Sequence, residues 1–179
     1  MRESFAQFMS KSIARNGARF TRRGLMLAAA WRAAPEPLAA GRILIATPEQ
    51  RDLDFARTVI LLIDATQHAA MGLILNRPLR RRSGEQQLFA GGPIAQGTRS
   101  LLREATTPAA RRLCPGVWLS DGATREPGGR TYLGYTGWTA AQLRDEILRG
   151  HWRTIAGDAS IVFDPDPATL WERILTREK

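Results

Sequence analysis

Apolar residues in this chain come in short bursts, each cut off by a polar or turn-forming residue. Arg42-Ile43-Leu44-Ile45-Ala46 is stopped by Thr47-Pro48, and the β-branched run Thr58 to Ile63 by Asp64. Short continuous runs bounded this way predict buried strands. Met71-Gly72-Leu73-Ile74-Leu75 is a third, and the polar stretch Ala65 to Ala70 before it has the length of a hairpin loop, so the second and third runs are expected to pair antiparallel. Weaker strand candidates follow at Gln87 to Ala90, Ser100 to Arg103, Val117 to Leu119 and Thr131 to Gly134, with Ala159 to Phe163 as the last.

Two helices are marked more sharply than any strand. Thr139-Ala140-Ala141-Gln142 has the capping-box form: Thr139 accepts from the Gln142 backbone while the Gln142 side chain reaches back. Leu143, Ile147 and Leu148 then share one face, and Gly150 stops the helix. Asp166-Pro167 opens the second helix as N-cap and first-turn proline, with Leu170, Trp171, Ile174 and Leu175 as its apolar stripe. Helices against an antiparallel or mixed sheet predict an α+β domain.

At 179 residues, one domain is expected. Ala34-Pro35-Glu36-Pro37 breaks any helix and sets its boundary, leaving residues 1–37 as a basic, disordered or marginally helical extension and 38–179 as the domain. The formal charge of +9 divides there. Seven Lys/Arg against Glu3 and Glu36 put +5 in the arm, and the domain's surplus of +4 is weak evidence for phosphate binding. Of the 26 basic residues 24 are Arg, which reads as coding-sequence composition rather than a guanidinium-specific ligand. Within the arm, Thr21-Arg22-Arg23-Gly24-Leu25-Met26-Leu27 has the outline of a twin-arginine export signal, but Arg32 interrupts the apolar segment. The Arg- and Ser-rich, acid-poor residues 1–23 also have the composition of an organellar transit peptide. The longest apolar run, Gly24 to Trp31, falls far short of the roughly 20 residues of a membrane span. A single cysteine, Cys114, can form neither an internal disulfide nor a thiolate zinc cage and suits a reducing compartment.

Five blocks then occur in a suggestive order: Gly41 to Pro48, Asp54 to Ile60, Ala70 to Pro78 (ending Asn76-Arg77-Pro78), Gly91-Gly92-Pro93-Ile94, and Gly134 to Leu143. Together they resemble the AlgH/YqgE family of small bacterial proteins over about residues 38–177. The resemblance implies a strand-rich pseudo-barrel flanked by helices, a cytoplasmic setting, no established enzymatic activity, and a proposed link to transcriptional regulation. Two departures stand out. Leu79 to Gln87 has room only for a loop where the family carries a helix, and Glu126-Pro127-Gly128-Gly129 replaces another, so two peripheral helices are expected to be missing.

Candidate chemistry is sparse. Ser120-Asp121, His68 and His151 supply the residue types of a hydrolase triad without a Gly-x-Ser-x-Gly elbow. Cys114 lies near Arg111 and Arg112, which can lower a thiol pKa, but a half-buried structural cysteine is the favoured reading. Two histidines without metal-ligand spacing and scattered carboxylates predict no metal site, and there is no glycine pattern for a nucleotide cofactor. A binding surface is the better candidate: Asn76, Arg77 and Pro78, Gly91, Gly92 and Pro93, and Gly137, Trp138 and Gln142 at the helix start. Glycines there admit close approach, the helix N-terminus offers donors, and Arg77 offers a bidentate anion contact. Equally, Gly91-Gly92 can be a tight turn, Trp138 a staple under the helix, and Arg77 an ion-pair partner of Asp54 or Glu146.

The expectation is a non-enzymatic, cytoplasmic regulatory or interaction protein that recognises a protein or a small anionic ligand there. Nucleic-acid binding through Arg22, Arg23, Arg80, Arg81 and Arg82 is the alternative, with a cryptic hydrolase third.

Overall fold

A computed structural model of the protein describes residues 38–83, 86–104, 110–121 and 129–177. The arm, with Arg22 and Arg23, lies outside these residues. Leu38–Lys179 forms one compact unit.

Among the described residues ten strands make the sheet. They are β1 (Arg42–Ala46), β2 (Val59–Ala65), β3 (Ala69–Ile74), β4 (Pro78–Ser83), β5 (Gln86–Ala90), β6 (Ile94–Arg103), β7 (Arg111–Cys114), β8 (Val117–Asp121), β9 (Gly129–Thr139) and β10 (Trp152–Ala156). Eight follow the order β10-β1-β2-β3-β9-β6-β8-β7, while β5 pairs parallel with β9 and β4 hangs on β5. β9 is the spine: it meets β6 on one edge, and β5 followed by β3 on the other. The predicted hairpin is present, with β2 antiparallel to β3 from Ile60–Ile74 to Ala65–Ala70. The sheet curls into a half-barrel, an α+β pseudo-barrel as the resemblance implied.

Both faces of β1 to β3 are buried, as their unbroken apolar runs require. Leu44, Ala46, Ile60, Leu62, Ala70 and Ile74 pack with Trp138, Leu143 and Trp152 into one cluster. Ile43, Ile45, Val59, Leu61, Leu73 and Leu75 alternate with them along the strands and are also fully buried. At Gly72 β2, β3 and β9 approach closely, since a Cβ there would lie 2.5 Å from Ile60 Cγ2 and 2.9 Å from Thr136 Oγ1.

Helix α1 (Ala140–Leu148) begins where predicted, with Thr139 Oγ1 accepting from Gln142 N at 3.0 Å. The rest of the capping box is corrected: the Gln142 amide donates forward to Glu146 Oε1 at 3.0 Å. Leu143 is buried and Ile147 half-buried, but Leu148 is 78% exposed and leaves the predicted face. Gly150, at φ +79°, ends the helix. Helix α2 (Ala159–Val162) stands where a last strand was expected, because the Asp158 side chain caps it by accepting from Ile161 N. The true last strand is β10. Pro167–Thr169 is a 3₁₀ turn, and α3 (Leu170–Arg177) follows. The Asp166 side chain accepts from the Thr169 hydroxyl rather than capping backbone.

A further correction falls at Leu79 to Gln87, which lies across a β4–β5 hairpin rather than a loop. Gln87 helps hold it, its amide donating to the carbonyls of Leu79 and Leu88. The segment that carries Glu126-Pro127-Gly128 lies outside the described residues.

Candidate functional site

The sequence candidates separate once folded. Trp138 pairs with Ala70 near the start of β3, whereas Asn76 to Pro78 lie beyond its end, so the two groups are not one convergent pocket. Trp138 is 1% exposed and cannot face a partner. It lies under Phe55, ring centroids 5.4 Å apart and stacked, with Trp152 edge-on to both. Its indole Nε1 has no hydrogen-bond partner among the described residues. Gly91 and Gly92 are buried and serve the sheet: Gly91 N donates to Leu133 O at 2.7 Å, and a Cβ on Gly92 would sit 2.2 Å from the Tyr135 carbonyl. Gly137 is paired with Met71. Pro78, Pro93 and Gln142 are exposed.

Asn76 is the most informative of the set. Its Oδ1 accepts from Val59 N at 2.9 Å, and its Nδ2 donates to Arg57 O at 2.9 Å. A side-chain amide has an acceptor and a donor on one planar group, so it can clamp both ends of Arg57–Val59 in a way no carboxylate could. The clamp holds the turn Asp52–Arg57 against the end of β3.

That turn is the feature sequence reasoning missed. Asp52 O accepts from Phe55 N at 2.9 Å and Ala56 N at 2.7 Å, Asp52 Oδ1 accepts from Asp54 N at 2.8 Å, and Thr58 Oγ1 donates to Phe55 O at 2.7 Å. Arg57 closes it at φ +59°, a conformation that non-glycine residues seldom adopt. The Arg57 guanidinium lies 5.1 Å over Trp171 and pairs with Glu172, while Trp171 Nε1 donates to Ala46 O at 2.6 Å, joining the turn to α3. The hydrogen bond from Arg57, aided by backbone, holds the Glu172 carboxyl below its ordinary pKa. Leu53 stands at the crest, 90% exposed. Arg77 reaches the Leu53 carbonyl only at a long 3.5 Å and forms neither suggested ion pair among the bridges seen. The signal available in sequence was Asp52-Leu53-Asp54-Phe55: an aspartate that closes a turn, followed by a large apolar residue with nothing to pack on.

Of the triad types, Ser120 and His68 do not come together. Ser120 Oγ is buried with no hydrogen-bond partner among the described residues, and its residue pairs with Leu101, which pairs with Thr131. His68 precedes Ala69, which pairs with Thr139. Eight residues along β9 separate those positions, roughly 26 Å at ~3.3 Å per residue. Cys114 is buried and its thiol is pushed up to about 11 by burial and then by the Asp158 charge, with Arg112 opposing. That is the structural cysteine favoured from the sequence, and not an activated thiol. Inside the curl, burial raises the Tyr132 phenol against the charge of Arg130, whose Nη1 caps α2 at Val162 O, 3.0 Å away. Arg80 is exposed on β4, and Arg81 and Arg82 continue that edge strand. Among the described residues no group of three or more His, Cys, Asp or Glu could hold a metal, and no helix is long and apolar enough to cross a membrane.

A family model described as AlgH-like matches residues 43–179. A UPF0301 protein of Thermobifida fusca is 33% identical over 172 residues, covering 77% of this chain and 86% of that one. One from Chlorobaculum parvum is 31% identical, with the same shares covered. The solution structure of the AlgH protein from Pseudomonas aeruginosa superposes with a TM-score of 0.64 at 25% identity, over 76% of this chain and 86% of that one. A crystal structure of a Corynebacterium diphtheriae protein gives 0.71 at 24% identity over 80% and 89%, a likeness of fold.

Proposed function

The chain belongs to the AlgH-like family, and from that premise we propose that it is a non-catalytic regulatory protein of the bacterial cytoplasm, acting by binding a partner on the Asp52–Arg57 turn and the adjoining Arg77–Pro78. The observation that carries this reading is the presentation of Leu53: a 90% exposed leucine on a turn fixed by backbone bonds, by Asn76 and by Phe55 stacked on Trp138. A rigid apolar residue needs little ordering on binding and therefore makes an efficient anchor. Arg77 beside it supplies a planar donor for a carboxylate. That chemistry also suits a small anion, but Leu53 favours a protein segment with an apolar side chain next to an acidic one.

The nucleic-acid alternative rests on the arm and on Arg80 to Arg82. For the latter, a bland account is at hand, because arginines and a proline on an edge strand discourage edge-to-edge pairing. Capture from nuclease-treated bacterial lysate on the immobilised full chain tests the proposal. Leu53→Ala and Arg77→Ala should each reduce the captured species, whereas Leu148→Ala should not. Equal capture by all variants would remove the proposed surface, and capture abolished by nuclease or moderate salt would favour nucleic acid.

A further inference from the structure

β10 ends the sheet, and among the described residues one of its edges has no strand beside it. Its pairing with β1 is bracketed by Thr47 N donating to His151 O and Gly157 N donating to Gly41 O, each at 3.0 Å. The register between these runs from Arg42–Ala156 to Ala46–Trp152. Antiparallel ladders alternate bonded and non-bonded pairs, so Ile43–Ile155 and Ile45–Arg153 bond across the ladder. The backbone N–H and C=O groups of Trp152, Thr154 and Ala156 therefore point away from β1, and no described residue outside the sheet bonds them.

The other outer strands are guarded. β4 presents exposed Pro78 and Arg80, and β7 opens on exposed Arg111 and Arg112. β10 has a single arginine, with Thr154 and Ile155 half-buried and Ala156 exposed. An open, lightly guarded edge is a template for another strand.

We propose that β10 is the contact through which two copies of this chain associate, edge to edge and antiparallel about a twofold axis at Thr154. The strand is self-complementary. Centred there, Trp152 lies opposite Ala156 of the second copy and Thr154 opposite its counterpart, so every outward group finds its complement in an isologous contact. Arg153 lies opposite Ile155 of the second copy, which keeps the two Arg153 charges from facing each other. A strand of another protein could meet the same backbone groups, and the second copy is favoured because this register sets Trp152 against Ala156 and separates the two Arg153 charges.

Sedimentation of the full chain from micromolar to near-millimolar concentration reads the association, and a monomer–dimer equilibrium is expected. Thr154→Pro deletes an outward N–H while leaving the β1 ladder its bonds. It should raise the dissociation constant at least ~10-fold, with an unchanged circular dichroism spectrum. Should that variant fail to fold, the native chain still decides: the Thr154 amide should exchange with deuterium slowly when concentrated and quickly when dilute. A monomer throughout, a dimer indifferent to Thr154→Pro, or concentration-independent exchange at Thr154 overturns the proposal.

Discussion

Asn76 donates to the carbonyl of Arg57 at 2.9 Å, and Arg57 is held at φ +59°. The clamp thus fixes a backbone conformation that costs roughly 1 kcal/mol on a non-glycine residue. The same side chain satisfies the N–H of Val59, which is fully buried at the start of β2. Asn76→Ala should therefore destabilise the domain by about 2–3 kcal/mol, since a buried donor loses its partner as well as a bond. Asn76→Asp keeps the acceptor and should cost less. Urea unfolding midpoints of the two variants check the order.

Arg57 gives the converse. Arg57→Gly relieves the backbone cost but discards the pair with Glu172 and the contact 5.1 Å over Trp171, both at a partly exposed surface. Those contacts are each worth about 0.5–1 kcal/mol. Stability should change by less than about 1 kcal/mol in thermal unfolding, while Arg57→Ala, which keeps the strain and loses the contacts, should be the worse substitution.

At Gly72 an added methyl meets Ile60 Cγ2 at 2.5 Å and Thr136 Oγ1 at 2.9 Å. Gly72→Ala should destabilise by about 1–3 kcal/mol through overpacking. Pairing it with Thr136→Ser, which trims a methyl and frees the hydroxyl to turn, should recover part of the loss if the crowding is local.

How much of this was legible follows from which force set each element. β1 to β3 are continuous apolar runs buried on both faces, and burial alone placed them correctly. Ala159 to Phe163 has the same look, yet becomes α2 because the side chain of Asp158 caps it, a local bond that hydrophobicity does not reveal. β7 and β10 are short and interrupted by arginine, and they are strands because neighbours distant in sequence offer an edge. The motif residues carried a binding and a structural reading, and Trp138 and Gly92 take the structural one, used inside the fold, while the exposed Leu53 belongs to a stretch whose turn chemistry was not read.

Cys114 should behave as a buried thiol. With its pKa pushed up to about 11 from an ordinary 9.0, it should resist alkylation in the native protein at pH 8 and react at the normal rate once unfolded. The folded state retains the proton through a window in which the unfolded chain loses it. This contribution is whole below pH 9.0 and lost as pH rises towards about 11, which alkaline unfolding of Cys114→Ala against the native chain would measure.

At the acid end, Asp158 is held down by the Ser160 hydroxyl and the Ile161 N–H. Asp164 is too: burial works to raise it, and the bonds from Arg173 and Asp166 N outweigh that. A depressed carboxyl stabilises the fold above its ordinary value of 3.8 and ceases to as pH falls through the lower folded value. Stability should thus be level near neutrality and fall below about pH 4, and Arg173→Met should flatten that fall.

The central claim is that the Asp52–Arg57 turn is the surface by which the protein meets its partner, and Leu148 provides a matched control, being the other large apolar residue left in the open among the described residues, at 78% exposure. A photo-crosslinking side chain placed at Leu53 or at Leu148 and activated in living cells reads the claim directly. A discrete adduct from position 53, diminished by Arg77→Ala and not matched from position 148, is the predicted result. No adduct at 53, or the same adducts from both positions, would contradict it.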